Sequence, residues 1–199
     1  MARSLAYMTA LVLLVLSACS KQQAQEGEIY FPKATKGAQW EYLLKYVTPK
    51  GDVIDGRLLV QVEGEETIEG KKYQKNVSTI SGIPGSKPQA TYTRRTEKGI
   101  FRLEADKQDH LVTPFPLSVG NTWKTQSPDG EIQFMAEKIE TVKVLNKEYK
   151  DALKISFRGE KKSSHIEGYS YFAPGVGELM TNMKVGDAII EYVLDKYKL

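Results

Sequence analysis

The 199-residue chain contains one cysteine, Cys19, and two histidines, His110 and His165. A single cysteine excludes an internal disulfide, so packing alone has to stabilise the fold. Metal sites usually combine several His, Cys, Asp or Glu ligands at diagnostic spacing. Neither histidine has a second histidine or a thiol near it in the sequence. We therefore expect no metal ion and no cofactor.

Motifs that carry catalysis are missing as well. The chain has no G-x-S-x-G nucleophile motif and no G-x-x-x-x-G-K phosphate loop. Ser163-Ser164-His165 places hydroxyls beside a histidine, but residues adjacent in sequence do not form a triad. The acidic pairs Glu65-Glu66 and Asp106 with Asp109 lie among polar neighbours, and we interpret them as solvated loop residues. The sequence predicts a protein that is not an enzyme.

Neither charge of one sign nor a long apolar run is present. The 28 basic and 25 acidic residues are interspersed, so the chain lacks the basic face of a nucleic-acid-binding protein. The longest apolar run, from Leu5 to Leu16, is too short to cross a bilayer, which takes roughly 20 residues. It follows Arg3 and has the length of the apolar region of a secretory signal peptide.

The run ends in Leu16-Ser17-Ala18-Cys19, which resembles the lipobox of bacterial lipoproteins. The resemblance implies cleavage before Cys19, removal of residues 1–18 as a signal peptide, and acyl chains on Cys19 that hold the protein to a membrane. Ser20 rather than Asp follows the cysteine, which by the usual sorting rule implies the outer membrane, with the domain in the periplasm. The alternative is a secreted protein whose cysteine falls here by chance.

Polar residues follow the cysteine, and in the rest of the chain apolar and polar residues alternate. Residues 19–28 lack apolar periodicity and are interpreted as the lipidated N-terminus and a flexible tether. From residue 29 to residue 199, a period of two broken by Gly, Pro, Asn and Asp turns predicts one β-rich domain. The predicted strands are 40–46, 58–62, 72–81, 90–96, 99–104, 131–136, 140–145, 149–158, 166–173, 177–184 and 188–196.

The spacing of these turns is typical of an antiparallel meander that forms a curved sheet, a sandwich or a partly open barrel. Helices are the alternative for residues 134–140 and 188–198. Their β-branched and aromatic residues favour strands.

A weak internal sequence repeat suggests two related halves, 37–115 and 120–199. Gly37-Ala38-Gln39-Trp40 reappears as Gly120-Asn121-Thr122-Trp123, and two weaker landmarks repeat in the same order. A β meander produces such repeats readily, so the test is whether Trp40 and Trp123 occupy equivalent positions in the fold.

Two segments are rich in aromatic, Pro and Gly residues. Residues 113–123 predict an extended crossing segment, and residues 168–179 predict an aromatic strand that leads into a type II turn at Pro174-Gly175. The aromatics either fill the core or line a cavity for an apolar ligand. The residues that could contact such a ligand or a partner are Trp40, Trp123, Tyr169, Tyr171 and Phe172.

A family resemblance follows from the same segments. Gly37/Trp40, the P-L-x-V-G-x-x-W pattern at 116–123 and the Y-x-A-P-G-V-G pattern at 171–177 resemble a group of uncharacterised bacterial envelope lipoproteins with no assigned reaction. More loosely, a lipid-anchored curved sheet is similar to lipid-binding half-barrel lipoproteins. Those proteins usually plug the barrel with helices, and this sequence shows no clear helix.

The sequence favours the first of two functions and leaves the second as the alternative. The first is a lipid-anchored, non-enzymatic binding or assembly module that faces the periplasm and contacts an envelope protein. The second is a carrier of lipid or another apolar ligand. An enclosed apolar cavity of several hundred Å³ would favour the carrier, whereas a filled core with an exposed apolar patch would favour a protein partner.

Overall fold

The structure, a computed structural model, describes residues 27–162 and 164–199. Strands are the only regular elements from residue 29 onward in this part of the chain. They are β1 (Gln39–Val47), β2 (Val53–Ile68), β3 (Lys71–Ser81), β4 (Gln89–Thr96), β5 (Gly99–Leu103), β6 (Asp109–Pro114), β7 (Thr122–Ser127), β8 (Gly130–Val144), β9 (Lys147–Lys161), β10 (Ser164–Ala173), β11 (Gly177–Val185) and β12 (Ala188–Lys198). The predicted antiparallel β fold is confirmed. No helix in the described ranges is long and apolar enough to cross a membrane.

All twelve strands form one sheet in the order β6-β5-β4-β3-β2-β1-β12-β11-β10-β9-β8-β7. Apart from β6 and β7, strands adjacent in the chain pair antiparallel, and β1 also pairs with β12. The two edge strands, β6 and β7, meet through side chains. Trp123 donates its indole N–H to the carbonyl of Val112 at 2.8 Å, and Thr125 donates to the carbonyl of Leu111 at 2.7 Å. The sheet is therefore a nearly closed barrel.

The prediction missed the two edge strands. Neither 109–114 nor 122–127 was among the predicted strands, although a strand was expected to begin at Trp123. Asp109 was interpreted as a loop residue and 113–123 as a crossing segment, because Pro and polar residues break the alternation. Only six residues long each, these strands are specified by their neighbours β5 and β8 rather than by their own pattern. Conversely, the two strands predicted at 131–136 and 140–145 form one strand, β8, which is interrupted by bulges.

Trp40 and Trp123 occupy the same position at the start of the two halves. Each is the second residue of the first strand, β1 or β7. The chain just before Trp40 exchanges two backbone hydrogen bonds with Val62 on β2, and the chain just before Trp123 exchanges two with Ala136 on β8. The positions of Trp40 and Trp123 are thus equivalent relative to the following strand. A gene duplication stays a prediction.

The equivalence extends to a bulge and an ion pair. Both β2 and β8 carry a bulge directly after the residue that pairs with the start of the half. The bulged residue is Glu63 in the first half and Glu137 in the second. Glu63 binds Lys75 at 2.9 Å, and Glu137 binds Lys154 at 2.7 Å. A bulge bends its strand, so matching bulges curve the two halves alike.

The barrel has two different ends. In an antiparallel meander the connections alternate between ends. Those that follow β7, β9 and β11 therefore lie together at what we call the open end. The other end, the plugged end, receives the connection 115–121, the turn 174–176 and the chain entering at residue 27. Gly175 has a φ of +68°, as the predicted type II turn at Pro174-Gly175 requires.

Candidate functional site: the lumen cavity

A cavity of about 600 Å³ opens into the barrel from the open end. Its walls are predominantly apolar and come from β5 and from β8 to β12. The lining residues are Arg102, Ile132, Phe134, Phe157, Lys161, Lys162, Ser164, Ile166, Ser170, Thr181, Met183, Val185 and Tyr192. β5 and β8 lie near opposite edges of the sheet. Their side chains therefore line one cavity only because the sheet closes into a barrel.

The strand register explains why these side chains share a face. Phe134 on β8 pairs with Phe157 on β9, which pairs with Gly168 on β10, and Gly168 pairs with Met183 on β11. Directly paired residues project to the same side of a sheet. A Cβ at Gly168 would lie 3.0 Å from the Phe157 ring and 2.2 Å from the carbonyl oxygen of Asn182, so only glycine fits here. The missing side chain thus leaves room for the Phe157 ring.

The plugged end closes the lumen behind the cavity. Tyr30 and Leu117 are buried with Leu153 in one hydrophobic cluster, to which Phe31 adds its ring. Arg95 holds the entering chain by donating to the backbone carbonyl of Phe31. The plug is thus supplied by the entering chain, which is helical at Gly27 and Glu28 and then turns, and by the connection 115–121. The lumen is filled at this end.

The plug includes the end of the predicted tether. Gly27 is buried against Leu117, and a Cβ at this position would lie 2.6 Å from the Leu117 backbone nitrogen. Glu28 forms an ion pair with Arg95 at 3.1 Å. The signal peptide, Cys19 and the first part of the tether lie outside the described residues.

A polar cluster forms one side of the cavity wall. Thr181 donates to one carboxyl oxygen of Glu178 at 2.7 Å, and Tyr192 donates to the other at 3.1 Å. The hydroxyls of Ser170 and Thr181 are 2.5 Å apart. Burial raises the pKa of the Glu178 carboxyl, and the hydrogen bonds from Thr181, Ser170 and Tyr192 offset only part of that increase. Burial also raises the pKa of Tyr192 well above its usual value.

Glu178→Gln is expected to make the protein more stable than wild type at pH 8 and equally stable near pH 4. A carboxyl whose pKa is raised by folding binds its proton more tightly in the native state, so wild-type stability falls as the pH rises through and above 4.5. Glutamine has no such titration. Urea unfolding of both proteins at the two pH values measures the difference.

The control for that experiment is Glu65→Gln, because the Glu65 side chain is 71% exposed. This change should alter stability by no more than about 0.5 kcal/mol at either pH. A Glu178→Gln protein that is less stable than wild type at pH 8 would contradict the assignment of Glu178 as a carboxyl with a raised pKa.

The mouth of the cavity is positively charged. Lys161 lies on the lumen face of β9, in line with Phe157, and Lys162 follows it in the turn. Arg102 reaches the cavity from β5, where Glu104 accepts from its Nε at 2.6 Å. Lys162 contacts Asp129 at 3.6 Å.

Two other cavities differ in chemistry. A groove of about 740 Å³ on the outer face of β8 to β12 is lined largely by charged and amide side chains. A pocket of about 610 Å³ beside the plug is lined by residues such as Glu28, Lys72 and Arg94. Ion pairs already occupy part of both, such as Glu137 with Lys154 in the groove. Of these three, the lumen has the most apolar lining.

Three of the aromatic residues singled out from the sequence lie in or beside the core. Trp40 donates to the carbonyl of Val176 at 2.7 Å. Trp123 stacks on Phe134 with 5.3 Å between ring centroids, and Phe172 packs on Phe31 at 5.0 Å. None of the three lines the lumen cavity, although Trp123 and Phe172 support its wall and its floor.

Tyr169 and Tyr171 lie on the outer face, although Tyr171 also packs against the buried cluster that contains Val176 and Leu179. Tyr169 lines the outer groove, packs edge-on against Tyr171 and receives Lys154 over its ring at 4.9 Å. Tyr171 donates to Glu140 at 2.6 Å, and burial together with this carboxylate raises its pKa. As contacts for a ligand or a partner, all five aromatics stay predictions.

The histidines lie apart from the cavity lining. His110 contacts Asp106 at 2.8 Å, and His165 contacts Glu160 at 3.1 Å. Across residues 27–162 and 164–199 no group of three or more His, Cys, Asp and Glu side chains is arranged to hold a metal ion. The absence of enzymatic activity stays a prediction.

The interpretation of Asp109 as a solvated loop residue is wrong. It begins β6, its side chain is only 10% exposed, and it accepts from Arg94 at 2.6 Å and from Tyr73 at 2.8 Å. Burial acts to raise the pKa of Asp109, but hydrogen bonds from Arg94, Tyr73 and Lys71 outweigh burial and lower it. The residue ties β6 to β3 and β4. Its partners are distant in sequence, which is why composition alone could not reveal it.

Fold and cavity together define a class of protein: a nearly closed antiparallel barrel with one plugged end and an apolar lumen. Among solved structures, the chain is similar to a candidate exported protein with a YmcC-like fold from Bacteroides fragilis NCTC 9343, with 15% identity, a TM-score of 0.51, and coverage of 86% of this chain and 99% of that one. A candidate lipoprotein from Parabacteroides distasonis ATCC 8503 is 15% identical, with a TM-score of 0.42 and coverage of 85% and 98%.

At this identity the first likeness concerns the fold alone. No family model matches the chain, and no curated protein matches its sequence.

Proposed function

We propose that this protein is a lipid-anchored protein of the bacterial cell envelope, without enzymatic activity, whose barrel lumen carries an apolar ligand. The observation that supports the proposal is the lumen cavity of about 600 Å³ with its apolar walls. This volume lies within the range of about 300–1,000 Å³ that is usual for small-molecule sites.

The walls supply the binding energy for such a ligand. Phe134, Phe157, Met183 and Val185 are all only partly buried, although they face the lumen. Their exposed apolar surface is covered when a ligand enters. Each methylene that moves from water into an apolar site contributes about 0.8 kcal/mol. An alkyl chain of ordinary length therefore gains enough to bind without any specific polar contact.

The described chain begins at the end of the barrel opposite the mouth. The chain enters at the plugged end, where Gly27 packs on Leu117, and the cavity opens at the other end beside Lys161. Residues 19–27 reach at most about 28 Å when fully extended. An acylated Cys19 would thus hold the plugged end near the membrane and leave the mouth free to face other components of the periplasm.

A binding or assembly module is the second candidate, and the outer groove favours it. This groove of about 740 Å³ exposes Met135 and Ile189 among charged side chains. Apolar residues surrounded by polar ones are typical of surfaces that bind another protein. In that case the lumen would be a by-product of barrel closure and the outer face would carry the function.

Met183→Glu is expected to remove the bound ligand, because it places a carboxylate in the apolar wall of the lumen. The full-length protein is purified from membranes in a non-ionic detergent, and mass spectrometry measures lipid and co-purifying protein per mole. We expect the wild type to retain at least about tenfold more of one lipid class than Met183→Glu, which corresponds to about 1.4 kcal/mol.

The matched control is Met135→Glu, which makes the same change on the outer face, where Met135 is 42% exposed. It should retain the lipid. A partner protein lost only from Met135→Glu would instead support the assembly module. Wild type that carries no more lipid than Met183→Glu would overturn the carrier proposal.

A further inference from the structure

We propose that the ligand of the lumen has a single acyl chain and a terminal anion, a carboxylate or a phosphate, and that its charged end lies at the open end of the barrel. This inference rests on the proposed carrier function, because it specifies the ligand of the same cavity. It depends on the distribution of charge, on one unpaired lysine and on the shape of the lumen.

The charged side chains that line the cavity directly are cationic, although Glu178 lies behind Thr181 and Tyr192, and Glu104 and Asp129 contact Arg102 and Lys162. Arg102, Lys161 and Lys162 contribute to the lining, and no aspartate or glutamate does. The protein as a whole is close to balanced, with 28 basic and 25 acidic residues. A cavity lined by one sign of charge with apolar walls concentrates ions of the opposite sign.

Lys161 is the central group of the three. It follows Phe157 and Gly159 on the lumen face of β9 and is partly buried. Within the described part of the chain, no carboxylate lies within ion-pair distance of Lys161. By contrast, Lys162 is 74% exposed and already contacts Asp129. A partly buried ammonium without a counter-ion loses hydration, and an anionic ligand would replace that hydration.

Arg102 provides a second contact from the other side of the lumen. Glu104 engages its Nε and Nη2, the latter at 2.5 Å, and thereby fixes the direction of the guanidinium. The Nη1 amino group carries two more N–H donors, which suit the oxygens of a carboxylate or phosphate. Lys161 and Arg102 together can hold one anionic group from two strands that are far apart in the sequence.

The shape of the lumen selects a single chain. The apolar wall begins below the cations, with Phe157 and Phe134, and ends at the cluster that contains Leu153 and Leu117. Because the plugged end is filled, a chain entering from the mouth has no exit. A volume of about 600 Å³ suits one extended or folded alkyl chain better than the paired chains of a phospholipid.

The test uses isolated membranes that contain the full-length protein. The probes are palmitic acid and palmityl alcohol, each with a diazirine for photo-crosslinking and an alkyne for detection. After irradiation the protein is purified, and its labelling is read as a function of probe concentration. An unirradiated sample corrects for probe attached by acylation.

The informative variant is Lys161→Gln, and its control is Lys72→Gln, because the Lys72 side chain is 78% exposed on β3. We expect the wild type to be half-saturated at about tenfold less acid than alcohol, since one charge-assisted hydrogen bond is lost with the alcohol. Lys161→Gln should remove this preference and leave alcohol labelling unchanged. Lys72→Gln should behave as wild type.

The outcomes test the anionic ligand and the carrier function separately. Equal labelling by acid and alcohol that is lost in Met183→Glu would overturn the anionic ligand while the carrier function stands. Labelling by both probes that persists in Met183→Glu would overturn both. Competition with unlabelled palmitate and with a monoacyl phosphate, lysophosphatidic acid, then distinguishes the carboxylate from the phosphate, since the natural class should displace the probe at the lower concentration.

Discussion

Leu153→Ala is expected to lower the free energy of unfolding by about 2–5 kcal/mol. Leu153 is 1% exposed and lies in the cluster where Tyr30 and Leu117 close the plugged end. Its removal forfeits the transfer energy of the side chain and leaves a void that the surrounding strands fill only in part. With one cysteine in the chain, no disulfide compensates for this loss. Urea unfolding followed by circular dichroism measures the change.

The matched control is Ile139→Ala. Ile139 pairs directly with Leu153 across β8 and β9, yet it is 48% exposed. Strand β7 pairs only with residues 130–135 of β8, so at Ile139 β8 has no paired strand on the edge opposite β9 to cover the side chain. We expect a loss below about 1 kcal/mol for this change. Equal losses from the two variants would show that the cluster around Leu153 is not a packed core.

The class of fold was predictable because alternation is a local property. A strand with one buried face repeats every two residues, as Trp40, Tyr42 and Leu44 do on β1. The turn at Pro174-Gly175 was predictable for a similar reason, since its positive φ needs glycine. Neither signal requires knowledge of which strands become neighbours.

The closure of the barrel could not be predicted, because it depends on contacts between distant strands. The seam is formed by Trp123 and Thr125, which donate to carbonyls of β6 rather than extending the backbone ladder. A tryptophan that caps a seam and one that fills a core look alike in the sequence. For the same reason, β6 was not predicted as a strand, and Asp109 at its start was interpreted as a loop residue.

The lumen cavity depends on the same closure. The sequence indicates that Phe157 and Met183 share their faces with other apolar residues, but it does not say which face becomes the inside. The lack of a side chain at Gly168 is the one local signal of a close approach there. Similarly, the plug consists of residues 27–31 and 115–121, whose docking has no periodic signature.

Cys19→Ser is expected to move the protein from the membrane to the soluble fraction, or to leave its signal peptide uncleaved. The serine hydroxyl cannot accept the thioether-linked diacylglycerol that the lipobox resemblance implies for Cys19. One acyl chain gives marginal membrane binding and two or more give stable anchoring, so losing the thioether-linked chains removes most of the affinity. Fractionation and electrophoretic mobility of the full-length protein measure the result.

The barrel itself should be unaffected by Cys19→Ser, because the twelve described strands and the cluster around Leu153 are formed by residues that follow Gly27. Circular dichroism should therefore give the same β spectrum and the same urea midpoint for both forms. The matched control is Ser20→Ala, which alters the neighbouring residue and keeps the thiol. If Cys19→Ser fractionates and migrates like wild type, the lipoprotein assignment is wrong. The lumen would then have to be considered as the site of a freely diffusing carrier.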